Sequence, residues 1–438
     1  MNLRRVVVIC SLVAIAFGML ARLSHLDTKL FWQDEAIAAL RIGGHTVAEY
    51  QTLFDGRVHP ASQMAAMQRL TPGRGPAATI ASIAKEEPQR SPLYYGAARI
   101  WAGLFGDGVV SLRAFSAVIG LAGIGLAFGF GSALMRTSLG GYILAALVAV
   151  SPFHIRYSQQ VREFVLFTDS ILLAGWLFVR VLERPTLRRW IAFGLAATFG
   201  LYADPQFAFV LAGFGIVALT MSGRVFLGFL TTAAAAFVAY SPWLDVNAHL
   251  ASRTSLGLAW AASPYSLRSF AVKWAFNLGA VFFDADLAHV WLGFALVPIL
   301  VLLGYAGLRL LRHHYRPADT IALSLLLCTS VPLMIADFIK HAHYETVARY
   351  EVATWVGIET AVAFALTLWL RSESVRSRTF ATAAFLYLIV CGSMSAALQS
   401  SYVVWWDNNE HVDESAIATA ITPPYATVVA ERSHGVYV

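Results

Sequence analysis

Apolar residues along this chain gather into repeated windows of about 16–25 residues, the length at which an α-helix crosses a ~30 Å hydrocarbon layer. The windows predict about eleven transmembrane helices, at 6–23, 109–134, 139–155, 164–182, 189–203, 205–221, 225–243, 287–311, 319–339, 351–370 and 379–399. The stretch 267–283 carries Arg268, Lys273 and Asn277 and reads as a helix lying in the interface. Between the first two spans runs a long polar loop, 24–108. Its middle, from His59 to Pro88, suits loop plus a short Ala-rich helix, and SPLYYGAARIWAGLF at 91–105 suits an interfacial helix with its Tyr and Trp at the surface. The expected fold is an all-α polytopic membrane protein. Residues 1–400 form one transmembrane domain, in which 24–108 is a long outer loop with interfacial helices. Residues 401–438 form a short outer-face cap, with a helix over His411–Ile421, a break at Pro423-Pro424 and a strand over Ala426–Ala430. No repeat of fixed period, low-complexity tract or large soluble domain interrupts this order.

Charge then orients the spans. Only 13% of the 438 residues are charged, against roughly 25% in soluble domains. With the N-terminus inside, the cytoplasmic pieces hold Arg4, Arg5, Arg136, Arg180, Arg184, Arg188, Arg189, Arg224, Arg309, Arg312, Arg316, Arg371, Arg376 and Arg378, against the acids Glu183, Asp319 and Glu373. This asymmetry is what the positive-inside rule requires, and one miscounted span would scramble it. The formal net charge of +6 is thus explained by topology rather than by nucleic-acid binding. The first span follows Arg4-Arg5 without a small-x-small cleavage site and reads as an uncleaved anchor. Cys10, Cys328 and Cys391 fall inside spans and read as small core residues.

Four polar clusters fall on the outer face. The first is Asp34-Glu35 in Phe31-Trp32-Gln33-Asp34-Glu35-Ala36. A carboxylate at a membrane interface, its pKa raised by desolvation, suits a base that takes a proton from an attacking hydroxyl; a second carboxylate orients the acceptor or binds an ion. The plain reading is a solvated loop holding two acids. The second is Gln89-Arg90-Ser91-Pro92-Leu93-Tyr94-Tyr95, where a Pro-bearing turn presents a guanidinium suited to a phosphate oxygen pair, or to anchoring among headgroups. The third is SPFHIRYSQQVREF at 151–164. Its helix is expected to begin at Gln159, placing Gln159, Arg162 and Glu163 on one face, with His154, Tyr157 and the intramembrane acid Asp169 nearby. These residues bind substrate or form a network that holds helices together. The fourth is His341-Ala342-His343-Tyr344-Glu345, whose alternation admits a divalent cation, followed by Arg349-Tyr350-Glu351 with a second phosphate-directed cation. Asp204, Asp284 and Asp286 read as solvated outer-face acids.

In order, facing and spacing these clusters resemble the GT-C superfamily of membrane glycosyltransferases. The likeness is to its family 39-like bacterial members, related to protein O-mannosyltransferases and lipid A aminoarabinose transferases. WQDEA at 32–36, RSPLYY at 90–95, WAGLFG at 101–106, SLRAFSAVIG at 111–120, SPFHIRYSQQVREF at 151–164 and RYE at 349–351 carry the resemblance, which covers about residues 1–210 and thins beyond. It implies the GT-C fold and a sugar donor carried on a polyprenyl phosphate. Transfer would take place on the non-cytoplasmic face of a bacterial inner membrane, to an acceptor that is protein, lipid or glycan. Asp34 becomes the base with Glu35 beside it, Arg90, Arg349, Tyr350 and Tyr94 the donor-phosphate contacts, and His154, Tyr157, Gln159, Arg162, Glu163 and Asp169 a substrate-binding or structural network. Two departures stand out: relatives commonly have His or Lys with Pro-Pro where this chain has Arg90-Ser91-Pro92, and many carry an acid at the position of Gln160. The competing readings are a polytopic lipid or glycan transporter, and a non-catalytic subunit of an envelope polysaccharide assembly. Polar clusters at the interface without internal repeats favour the transferase over the transporter.

Overall fold

The computed structural model describes residues 3–249, 267–284, 295–312, 317–340 and 348–404. Within them the chain is helical and, among the described residues, forms no strand. The first span is α1 (Leu3–Leu23). The outer loop then builds α2 (Gln33–Ile42), α3 (Val47–Gln51), α4 (Ala61–Ala66), α5 (Pro76–Glu86) and α6 (Pro92–Phe105). There follow α7 (Val109–Met135), α8 (Ser138–Val150), α9 (Pro152–Ser158), α10 (Phe164–Glu183), α11 (Leu187–Ala203), α12 (Phe207–Leu219) and α13 (Gly223–His249). The remainder is α14 (Leu267–Ala280), α15 (Leu296–Arg312), α16 (Ile321–Lys340), α17 (Val352–Arg371) and α18 (Val375–Ser400).

Local chemistry accounts for the helix starts. Pro76 and Pro92 occupy the first turns of α5 and α6, where a missing N–H costs nothing. The Ser91 hydroxyl accepts from Tyr94 N at 3.2 Å and the Thr46 hydroxyl from Glu49 N at 3.1 Å, capping α6 and α3. At the other end of α6 the chain leaves through Gly106 at φ +94°, a conformation that glycine adopts without strain.

Seven of the described helices are long and apolar enough to cross a membrane, or up to eight if α8 and α9 count as one span bent by 64° at Ser151-Pro152. The expected eleven are therefore not reached among the described residues. With 17 and 13 residues, α11 and α12 fall short of the ~20 that a straight crossing needs, and the start of the 287–311 window lies outside the description. The helices expected over 91–105 and 267–283 are present as α6 and α14. The cap over 401–438 lies outside the described residues from 405 onward.

α8 and α17 are apolar nearly all round and buried along their length, so they form the centre of the bundle. α8 packs against α1 and α7, and α7 in turn against α10. Small residues allow these approaches: a methyl group on Gly18 of α1 would collide with the Ala149 carbonyl of α8, and one on Gly123 of α7 would strike the Asp169 carboxylate of α10. Peripheral helices expose apolar side chains outward, among them Ile9, Leu12, Val13 and Leu20 on α1 and Leu227 and Val238 on α13, as a lipid-facing surface requires.

Candidate active site

Asp34 and Glu35 are neighbours in sequence but face different surroundings. Both lie in the first turn of α2, where carboxylates complement the helix dipole. Glu35 is fully buried. Its Oε2 pairs with Arg113 Nη2 at 2.6 Å, while Oε1 accepts from Arg113 Nε at 2.9 Å and from Val161 N at 3.0 Å. Arg113 also donates to the carbonyls of Leu26, Lys29 and Leu30. Glu35 is therefore the bolt joining α2, α7 and the 159–163 segment. The expectation that it handles acceptor or ion is corrected, because no part of it is open to a ligand.

Asp34 is the member of the pair that reaches the surface, with 18% of its side chain exposed. Its Oδ2 pairs with Arg162 Nη1. The carboxylate is thus not simply desolvated; it stands opposite a guanidinium that also lies 3.4 Å from Glu163 and 4.9 Å above the ring of Phe164. From here a line of alternating groups runs inward. Glu163 Oε2 accepts from the Tyr95 hydroxyl at 2.8 Å, and that hydroxyl accepts from Arg90 Nη1 at 2.9 Å. Arg90 Nε donates to Glu87 Oε1 at 2.9 Å, and Glu87 Oε2 accepts from Arg41 Nη2 at 3.0 Å. Arg41 Nη1 pairs with Glu86 at 2.6 Å, and Glu86 takes the N–H groups of Val47 and Ala48 at the start of α3. Burial pushes the Glu163 carboxyl up, but Arg162 and then Arg90 outweigh it and hold Glu163 below the usual carboxylate range. Arg90 and then Arg41 do the same for Glu87.

The Arg90 turn is clamped from the bundle side. Ser91 Oγ donates to the Tyr202 carbonyl at 2.7 Å, and Trp243 Nε1 donates to the Pro88 carbonyl at 2.9 Å. Arg90 is joined to the same network as Asp34, with much of its guanidinium committed to Glu87 and Tyr95. Tyr94, expected at the donor phosphate, is instead wholly buried with its hydroxyl on Ser116 at 2.6 Å. The neighbouring Tyr95 takes the place in the network. Helical register decides this, since consecutive residues point about 100° apart.

The 151–164 stretch also differs from its expected form. α9 ends at Ser158, residues 159–163 turn, and the next helix begins at Phe164, so Gln159, Arg162 and Glu163 do not share a helical face. Gln159 donates to the carbonyls of Ala21 and Ser24, holding the end of α1. His154 lies 2.9 Å from Glu359 of α17, both buried. The Tyr157 ring lies tilted against that of Phe164, with 5.1 Å between centroids. Asp169 is buried against Gly123, below the site. His154, Gln159 and Asp169 thus make contacts between helices.

Asp204 and Asp284, expected to be solvated, are both buried. Burial pushes the Asp204 carboxyl up to about 7, with the nearby charge of Glu163 adding to the shift and Arg162 opposing it. Asp284 Oδ2 accepts from Gln399 at 2.9 Å. Lys29 secures the same flank by donating to the carbonyls of Gln399 and Tyr402 at 2.6 and 2.7 Å. Burial, with Arg113 and Arg156 nearby, pushes its amine down to about 8. The backbone of Arg349 and Tyr350 forms a short 3-10 turn, Ala348–Glu351, where Tyr350 is half-buried; the side chain of Arg349 is outside the description. Asp286, His341, His343 and Glu345 lie outside the described residues. Among the described residues no group of three His, Cys, Asp or Glu is arranged to hold a metal. Sequence reasoning missed Arg41, Glu86, Glu87, Tyr95 and Arg113. Only Glu87, three residues before Arg90, carried a visible pairing signal.

The model of the dolichyl-phosphate-mannose-protein mannosyltransferase family matches residues 89–246. That segment holds Arg90, Tyr95, Arg162, Glu163 and Asp204, and begins after Asp34. No curated protein matches the chain. Two solved structures are similar. One is ArnT from Cupriavidus metallidurans bound to undecaprenyl phosphate, at 13% identity and a TM-score of 0.52, covering 94% of this chain and 81% of that one. The other is the apo oligosaccharyltransferase of Archaeoglobus fulgidus, at 15% identity and a TM-score of 0.49, covering 98% of this chain; this chain spans 61% of its length. The resemblance read from the sequence is borne out at the level of the fold: the chain shares the all-helical fold of the ArnT structure.

Proposed function

We propose that this chain is an integral-membrane glycosyltransferase that moves a sugar from a polyprenyl-phosphate donor to an acceptor hydroxyl. The observation that carries the reading is the partly exposed Asp34 carboxylate, held by Arg162 at the head of a buried acid–base line. Four members of that line, Arg162, Glu163, Tyr95 and Arg90, lie in the segment matched by the mannosyltransferase family model. The undecaprenyl phosphate held by the ArnT relative supports a lipid-linked donor.

In the proposed mechanism the lipid tail dissolves along the outward apolar faces of the bundle and the phosphate stops at the interface. The cations Arg90 and Arg349, with Tyr350, stabilise charge on the departing phosphate, an effect worth several kcal/mol where donors are preorganised. Arg90 suits this because Glu87 and Tyr95 fix its plane, while among the described residues its Nη2 has no partner. Asp34 receives the proton of the acceptor hydroxyl as its oxygen attacks the anomeric carbon, in one in-line displacement with inversion. Arg162 fixes the Asp34 rotamer, and Glu163 fixes Arg162. The leaving lipid phosphate departs as a stabilised anion without a separate acid. Glu35 acts only by position, holding the turn of α2 that presents Asp34. Charge placement supports a cytoplasmic N-terminus and a site on the non-cytoplasmic face, the periplasmic side of a bacterial inner membrane.

The test is transfer from a radiolabelled polyprenyl-phosphate sugar in proteoliposomes. Asp34→Asn keeps the size of the side chain and removes its capacity to take a proton, so turnover is expected to fall by about 100-fold or more. Undiminished turnover in this variant would remove Asp34 as the base.

A further inference from the structure

A cavity of about 630 Å³ opens at the other end of the bundle, about 30 Å from the site along the 21-residue α1. Arg4, Arg5, Arg136 and Arg371 share its wall with the apolar side chains of Val8 and Ile9, and among the described residues no acid lines it. The four cations come from three separate places: the start of α1, the α7–α8 junction and the last turn of α17. Arg4 Nε donates to the Leu370 carbonyl at 3.0 Å and so ties α1 to the end of α17. Among the described residues the guanidinium groups of Arg5, Arg136 and Arg371 have no hydrogen-bonding or ionic partner. The start of α8 adds to the same field. Thr137 and Ser138 line the cavity, and the Thr137 hydroxyl caps the helix at Leu139 N, placing the positive end of the α8 dipole at the wall.

Two other arginines assigned to the same membrane side are satisfied by the protein. Arg180 lies 3.4 Å from Glu183, and Arg189 donates to the carbonyls of Arg180 and Arg184. Convergence on a cavity without a counter-charge therefore goes beyond the general excess of basic residues expected there. A second cavity of about 280 Å³ shares Arg136 and Arg371 but also contains Asp319, whose carboxylate disfavours an anion in that lobe.

We propose that the larger cavity binds the phosphate of an anionic phospholipid from the leaflet at this end of the bundle. The arginines and the α8 terminus hold the headgroup, and the acyl chains run along the exposed apolar side of α1, where Ile9, Leu12 and Val13 continue outward from Val8. That apolar continuation selects a lipid over a soluble phosphate. Basic pockets between helices on the cytoplasmic side suit such headgroups. The proposal is independent of the transferase reading and concerns the opposite end of the molecule.

The full chain is reconstituted in phosphatidylcholine nanodiscs with or without phosphatidylglycerol, and bound lipid is counted by native mass spectrometry after release. Wild type is expected to retain phosphatidylglycerol. The double variant Arg136→Gln/Arg371→Gln should bind it about tenfold more weakly or worse, while Arg136→Lys/Arg371→Lys keeps most of the binding. The control Arg184→Gln/Arg188→Gln removes equal charge outside the cavity and should bind as wild type does. Size-exclusion profile and helical circular dichroism establish that each variant is folded, and the lysine pair keeps the comparison valid if the glutamine pair is not. Equal losses in control and cavity variants would show diffuse surface attraction and overturn the site. Displacement of the lipid by millimolar inorganic phosphate, with the same arginine dependence and no preference for phosphatidylglycerol, would overturn the lipid assignment.

Discussion

At the scale of single residues, two adjacent carboxylates separate into two jobs because α2 points them about 100° apart. Glu35 turns into the bundle and meets Arg113; Asp34 turns outward and meets Arg162. A dipeptide cannot express that difference. Asp204 makes a second residue-scale point. Its buried carboxyl titrates near 7 in the fold and near 4 in the unfolded chain. Between those values the unfolded state has released the proton and the folded state still holds it, so stability falls as pH rises from about 4 to about 7. Melting temperatures at pH 5 and pH 7.5 should therefore differ more in wild type than in Asp204→Asn, which has no proton to lose. An identical pH response in the two proteins would show that Asp204 does not carry this proton.

At the scale of elements, the site depends on how closely helices approach. α1 meets α8 at Gly18, and Gln159 then fastens the end of α1 to the turn that presents Arg162. Gly18→Val places two methyl groups where the Ala149 carbonyl lies, and overpacking of this kind costs on the order of 1–3 kcal/mol or more. A lower melting temperature in detergent is expected, with transfer activity reduced because the Arg162 turn is displaced along with α1. Gly125, on α7, has open space around it and supplies the control: Gly125→Val should melt within a degree or two of wild type. The bend between α8 and α9 was not anticipated, since 139–155 reads as one span although Ser151, Pro152 and His154 interrupt its apolar run. Only Pro152, at the first turn of α9, marked where a new helix could start.

At the scale of the whole molecule, the proposed orientation makes a direct prediction. In a background with Cys10, Cys328 and Cys391 replaced, a single cysteine at Asp55 in the outer loop should react with a membrane-impermeant maleimide added to intact cells. One at Ser372, just beyond α17, should react only after the membrane is opened. The reverse pattern would invert the topology and move the Asp34 site to the cytoplasmic face. The same orientation places the arginine-lined cavity against the inner leaflet, at the opposite end of α1 from the Asp34 site.

Hydrophobic periodicity by itself determined that the chain is a helical membrane protein, and it located most helices. The cost of exposing backbone polar groups to lipid leaves little other choice for long apolar windows. The motifs at 32–36, 90–95 and 151–164 likewise marked the stretches that meet at the site. Tertiary structure decided which of their side chains face it. Glu35 and Tyr94 turned inward, Tyr95 and Glu87 took up the network, and Asp204 proved buried rather than solvated. Those outcomes depend on the angle at which each helix enters and on partners as remote in sequence as Arg113 and Tyr202. An ion pair 128 positions apart, such as Asp34 with Arg162, is a property of packing, and packing is not written in local spacing.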